Sequence, residues 1–183
     1  MRNAFLNLII VLFTFSCLNF AYSEDQNFSE VQNLKTEDKN LNNNEINLFT
    51  GVFDFSDQNQ KSNIFGLQHQ NDDLFRNSFL GRLTPITGGW LTDKQSVYLY
   101  TGAQAEYNFG LVTITPSFAP GYYEEGDGKD LGMALEFKSE LKFSFDILKD
   151  SKIGYSYSHI SNNEWGDINP GVDNQTISFS KNF

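Results

Sequence analysis

The chain has 183 residues, a net charge of −10 and 15% aromatic residues, with 18 Phe among them. That length suits one domain, and the acidic balance argues against a nucleic-acid partner. Its one cysteine, Cys17, falls in an N-terminal apolar run, so no disulfide, thiol nucleophile or cysteine-based metal site is expected downstream.

Residues 1–23 read as a secretory signal peptide. Arg2 supplies a basic start, Phe5 to Phe15 is apolar, and Ala21 and Ser23 are small residues at the −3 and −1 positions of a cleavage site before Glu24. The run is short for a membrane-spanning helix. A lipoprotein signal ending at Cys17 is the weaker reading, because Thr14-Phe15-Ser16 makes a poor lipobox. Cleavage after Ser23 would remove one Arg and no acid, taking the net charge from −10 to −11.

Residues 24–45 are rich in Asn and acids and poor in apolar residues, and are expected to form a disordered periplasmic leader. A short polar helix from Val31 to Asp38 is the alternative there. No later stretch is long and apolar enough for a transmembrane helix. An aromatic-rich secreted chain of this kind fits a transmembrane β-barrel, with a soluble β-sandwich as its competitor.

From Ile46 to Phe183 the pattern has period two. Strands are predicted over about 46–56, 61–70, 79–92, 95–108, 110–123, 130–148, 151–161 and 173–183, separated by turn-forming residues such as Asp93-Lys94 and Glu125-Gly126-Asp127-Gly128. The fold class expected is all-β, an eight-stranded antiparallel transmembrane barrel of the outer membrane. The run 131–145 carries most weight. Leu131, Met133, Leu135, Phe137, Leu141, Phe143 and Phe145 fall on one face. Glu136, Lys138, Glu140 and Lys142 fall on the other, where they would pair across a polar interior. Pro85 and Gly88-Gly89 interrupt the alternation and suggest a bulge. Trp90 and Trp165, with tyrosines 98, 100, 122, 123, 155 and 157, are expected at the membrane interfaces. The terminal aromatic Phe183 fits the signal read by barrel assembly machinery.

The same parity sets His159 and Ser161 on a face with Ile153, Tyr155 and Tyr157. Asp173 shares one with Gln175, Ile177 and Phe179. A polar trio on the lipid-facing side of two consecutive strands is costly unless its members serve one another. Serine needs an adjacent base to attack an ester; histidine can accept its proton near neutral pH, and a carboxylate can hold the imidazole. Asn162 and Asn169 are candidate donors to a developing oxyanion. The bland reading stays open at this point: a histidine near a strand end is usually a surface residue, and Asn-Pro-Gly is ordinary loop chemistry. The acids Glu124, Glu125, Asp127 and Asp130 read as a solvated turn, since their spacing fits no EF-hand. His69 reads as structural.

His159-x-Ser161-Asn162 followed by Asn169-x-Gly171-x-Asp173 resembles the C-terminal signature of the PagL family of lipid A 3-O-deacylases, also called acyloxyacyl hydrolases. Pro116 to Gly121, Gly126 to Gly132 and Leu135-Glu136-Phe137 are similar to family members too. The resemblance covers roughly 80–183 well and 46–79 loosely. It implies an outer-membrane serine esterase in which His159 and Ser161 are catalytic, Asp173 stands where the family acid is usually Glu, and Asn162, Asn169 and Gly171 form the oxyanion and substrate-binding side. It implies no cofactor and no metal. The expected partners are lipid A or lipopolysaccharide as substrate, outer-membrane lipids, the barrel assembly machinery and a second copy of the chain in a homodimer. The competing functions are a non-catalytic barrel with a structural or adhesion role and a soluble binding module.

Overall fold

The computed structural model describes residues 44–183, so the expected signal peptide and the leader up to residue 43 lie outside the described residues. Ten strands form one antiparallel sheet: β1 (Glu45–Phe53), β2 (Ser62–Gln70), β3 (Arg76–Ser78), β4 (Gly81–Thr92), β5 (Val97–Ala105), β6 (Tyr107–Asn108), β7 (Thr113–Glu124), β8 (Leu135–Leu148), β9 (Ser151–Ser161) and β10 (Val172–Asn182). β1 opens at Glu45, inside the segment expected to be leader. Eight strands are long, and each pairs with two long neighbours. β1 meets both β2 and β10, and the β2–β4 ladder from Ile64↔Thr92 to Gln70↔Ile86 bypasses the short β3. The sheet therefore closes on itself as an eight-stranded barrel. A sandwich would need a second sheet for the apolar face to meet, and that reading falls with the closure.

Burial alternates as the pleat demands. Along β8, Glu136, Lys138, Lys142 and Ser144 are buried inside. Leu135, Leu141 and Phe145 point outward and are exposed. Leu48, Phe65, Leu99 and Ile177 on other strands are more than half exposed (54–60%), an apolar belt that water would not tolerate and lipid would. The expected charge pairing inside is present in part: among the described residues buried Glu136 joins no ion pair, and Lys138 pairs within its own strand. Glu45 lies 3.3 Å from Lys142 and 3.4 Å from Lys152, and Lys138 lies 3.3 Å from Glu140 and over the ring of Tyr100.

One end of the barrel carries the loops 54–61, 93–96, 125–134 and 162–171; the other carries Glu45 and Asn182. Inside the loop end, Phe53 packs on Trp90 and Tyr123 at ring distances of 5.5 and 6.3 Å, and Trp90 packs on Tyr98 at 5.6 Å. Trp90, Tyr98, Tyr100 and Tyr123 are thus interior residues, correcting their expected place at the membrane interface. Successive strand residues face opposite ways, and of Tyr122 and Tyr123 only Tyr122 is outward.

Two further expectations are corrected. β8 begins at Leu135, not 130 or 131. Gly132 takes a left-handed φ of +95° and turns Leu131 into the barrel's apolar end, where it is buried rather than lipid-facing. Pro85 causes no bulge: β4 runs unbroken past it, and the register shift falls at Asp146/Leu148 in the β8–β9 ladder. An antiparallel residue aims its N–H and C=O at the same neighbour. The Pro85 carbonyl accepts from the Asn71 N–H at 3.0 Å, just past the last β2 pair, so the missing N–H costs no ladder bond.

Candidate active site on β9 and β10

The register of β9 and β10 sets Asp173 directly opposite His159. Opposed antiparallel residues have Cα atoms about 4.5–5.5 Å apart, so even the short Asp side chain spans the gap. Its Oδ1 lies 2.7 Å from His159 Nδ1, and both side chains are partly buried. A carboxylate only accepts, so Nδ1 carries the proton and Nε2 of the neutral ring remains as the base. Ser161 is the last residue of β9, two positions from His159 on the same outward face, and it pairs with Phe137 of β8. Positions i and i+2 on a strand lie about 6.6 Å apart at Cα, and the structure forms no hydrogen bond between Ser161 and His159, whose ring contacts Asp173.

A fourth side chain joins this group. The Tyr157 hydroxyl donates to Asp173 Oδ1 at 2.8 Å, while its ring meets Phe55 edge-on at 6.0 Å. The sequence places Tyr157 on the right face. Only the register reveals that it lies diagonal to Asp173, opposite Gln175.

Gly171 has φ +59° and passes under the imidazole edge; a Cβ there would meet His159 Cε1 at 3.0 Å and Nε2 at 3.3 Å. Both the backbone and the contact favour glycine at this position. Asn162 is fully buried. Its amide nitrogen donates to Leu131 O at 2.8 Å and Ile168 O at 2.7 Å, and its Oδ1 accepts from Glu164 N at 3.0 Å. These bonds engage the whole amide in holding the 162–171 loop. Asn169 is exposed, and its Oδ1 accepts from Asn162 N at 3.1 Å. That bond fixes which amide atom is oxygen and turns the Asn169 NH₂ away from its acceptor side.

Outward of β9, Phe118, Phe137 and Trp165 form a contiguous aromatic row. Phe118 stacks on Phe137 at 6.0 Å, and Phe137 meets Trp165 edge-on at 5.2 Å. The row runs along the Ser161 side of the site through the Phe137–Ser161 pair. Among the described residues, no three His, Cys, Asp or Glu side chains converge as a metal site.

The family model described as lipid A 3-O-deacylase (PagL) matches residues 62–182, from the first residue of β2 to the last of β10. The chain belongs to the PagL family. Its fold is similar to the crystal structure of the outer membrane enzyme PagL, with a TM-score of 0.60 and 16% identity over 76% of this chain and 99% of that one. It is also similar to a de novo designed transmembrane β-barrel, with a TM-score of 0.51 and 8% identity over 76% of this chain and 95% of that one. No curated protein sequence matches. Membership of the PagL family makes the chain an outer-membrane ester hydrolase of the lipid A 3-O-deacylase type.

Proposed function

We propose that this barrel removes the ester-linked acyl chain at the 3-position of lipid A by transferring it to Ser161. His159 Nε2 takes the Ser161 hydroxyl proton as the oxygen attacks the ester carbonyl carbon. The tetrahedral intermediate collapses, the sugar oxygen leaves with the proton from His159, and water then frees the fatty acid by the reverse proton path. Asp173 holds the ring with Nδ1–H inward and steadies the imidazolium, and Tyr157 steadies Asp173. The observation that carries this reading is the 2.7 Å His159–Asp173 contact on the lipid-facing surface, two positions along β9 from Ser161.

Of the two asparagines, Asn169 is the side-chain donor to the oxyanion in this reading. Its NH₂ is the one left to face outward, whereas the amide of Asn162 is engaged inside the barrel. Asn162 positions Asn169 through its N–H. Gly171 leaves room for the ring and substrate. Phe118, Phe137 and Trp165 offer the departing acyl chain an apolar path.

Topology supports the placement. With residues 1–23 as a signal peptide and both barrel ends of the chain periplasmic, the 162–171 loop is external, and the site meets the outer leaflet, where lipid A resides. The same reading has barrel assembly machinery recognise the last strand through Phe183, and it allows a homodimer. The test is mass spectrometry of lipid A incubated with the purified barrel in detergent. Loss of one 3-linked chain is expected; unchanged lipid A, or loss of a secondary chain instead, contradicts the reading.

A further inference from the structure

Lys129 lies in the 125–134 loop, on neither strand of the site, yet it reaches across the barrel mouth. Its ammonium sits 2.6 Å from Asp54 Oδ2 and donates to the Gly171 carbonyl at 3.1 Å. Its own carbonyl accepts from the Tyr123 hydroxyl at 2.7 Å. Asp54 is 1% exposed and follows β1 with a left-handed φ of +49°. The next links lead back to the site. Asp54 N donates to Asn174 Oδ1 at 3.1 Å, and Phe55 N donates to the Asp173 carbonyl at 3.0 Å.

These bonds close a circuit. Residues 54 and 55 grip the backbone at 173 and the side chain at 174, and Lys129 joins Asp54 to Gly171. The tripeptide Gly171-Val172-Asp173 is thus held at both ends. The His159 ring rests on that tripeptide, its Cε1–Nε2 edge over Gly171 and its Nδ1 on the Asp173 carboxylate.

A buried ion pair adds little net stability over an apolar pair of similar volume. Stability therefore does not account for a lysine carried across the mouth to an acid on another loop. What the pair supplies is direction, an ammonium fixed between one carboxylate and one carbonyl. We propose that the Lys129–Asp54 pair positions the His159–Asp173 couple, holding it from the barrel interior through Gly171 and Asp173. This rests on the acyl-transfer reading above.

The test is the double variant Asp54→Asn/Lys129→Met of the full chain, which leaves no lone buried charge, assayed on lipid A beside wild type. The barrel is expected to keep its heat-modifiable mobility and KM to stay within about twofold. A displacement of about 1 Å at a catalytic group costs up to about 10²-fold in rate, so kcat should fall about 10- to 100-fold. The split between a lowered kcat and a nearly constant KM separates positioning of the catalytic couple from loss of the substrate-binding loop, which would raise KM as well. Lys129→Arg, which keeps a cation, should recover most of the lost turnover. Unchanged kcat in the double variant overturns the proposal, as does a loss that falls on KM alone or failure of that variant to fold. If wild type itself does not turn over lipid A, the acyl-transfer reading fails instead.

Discussion

Tyr157 and His159 converge on one atom of Asp173: the phenol donates to Oδ1 at 2.8 Å and the imidazole Nδ1 lies 2.7 Å from the same oxygen. Two donors on one carboxylate oxygen fix the short acid in place. A hydrogen bond to a charged group contributes about 1.5–3 kcal/mol when buried and less at a partly exposed site. Tyr157→Phe should therefore lower kcat about 3- to 10-fold with KM nearly constant, measured by initial rates on lipid A. An unchanged kcat would leave Tyr157 as an interfacial residue only.

Asp173 itself should matter more. Asp173→Asn keeps the shape but offers the imidazole an amide, which can set the wrong tautomer; a comparable change elsewhere lowers kcat by about 10⁴-fold. Asp173→Glu adds a methylene where the shorter acid already makes contact, so activity should be reduced but retained. Both are read from turnover, with thermal stability as a control that should barely move. Equal activity of wild type and Asp173→Asn would mean that another group orients His159.

The two loop asparagines should separate by readout. Loss of one oxyanion donor costs about 10²- to 10³-fold in kcat, and that is the outcome expected for Asn169→Ala, with little change in stability. Asn162→Ala instead abandons the carbonyls of Leu131 and Ile168. A buried group left unsatisfied costs about 1–3 kcal/mol, so this variant should lose thermal stability and become cleavable by protease within 162–171. The reverse pattern would exchange their roles.

Much of the fold was legible because period-two alternation survives wherever a strand faces lipid on one side and a polar lumen on the other. Eight strands, the charged inner row of β8 and the outward parity of His159, Ser161 and Asp173 all follow from it. What failed was chiefly sidedness. Trp90 and Tyr98 have the composition of an interfacial girdle but fill the inside of the loop end, where the lumen is apolar. Leu131 fits the outward series by parity, yet Gly132 at φ +95° breaks the strand before it can count. Tyr157 and the Lys129–Asp54 pair depend on register and on residues 75 positions apart, which no local pattern encodes.

Interior charge should govern stability rather than turnover. Glu45 answers both Lys142 and Lys152. Removing one partner of a buried ion pair costs about 3–5 kcal/mol when the other charge is left uncompensated; here that charge is Lys142, since Lys152 keeps Glu106 at 3.6 Å. Glu45→Gln should lower the temperature at which the barrel loses its compact gel mobility, while kcat at ambient temperature stays the same. A loss of activity without a shift in that temperature would place Glu45 in a pathway to the site that the structure does not suggest.

The central claim is acyl transfer to Ser161, and turnover of lipid A by purified Ser161→Ala barrel tests it most directly. The residue is small and ends a strand, so the variant should fold and show the heat-modifiable mobility of wild type. Loss of a nucleophile of this kind lowers kcat by orders of magnitude. Wild type should release the 3-linked chain, and Ser161→Ala should release none above background in mass spectra of the remaining lipid A. Release of that chain by Ser161→Ala at the wild-type rate would contradict the mechanism and leave His159 and Asp173 to act on a different nucleophile.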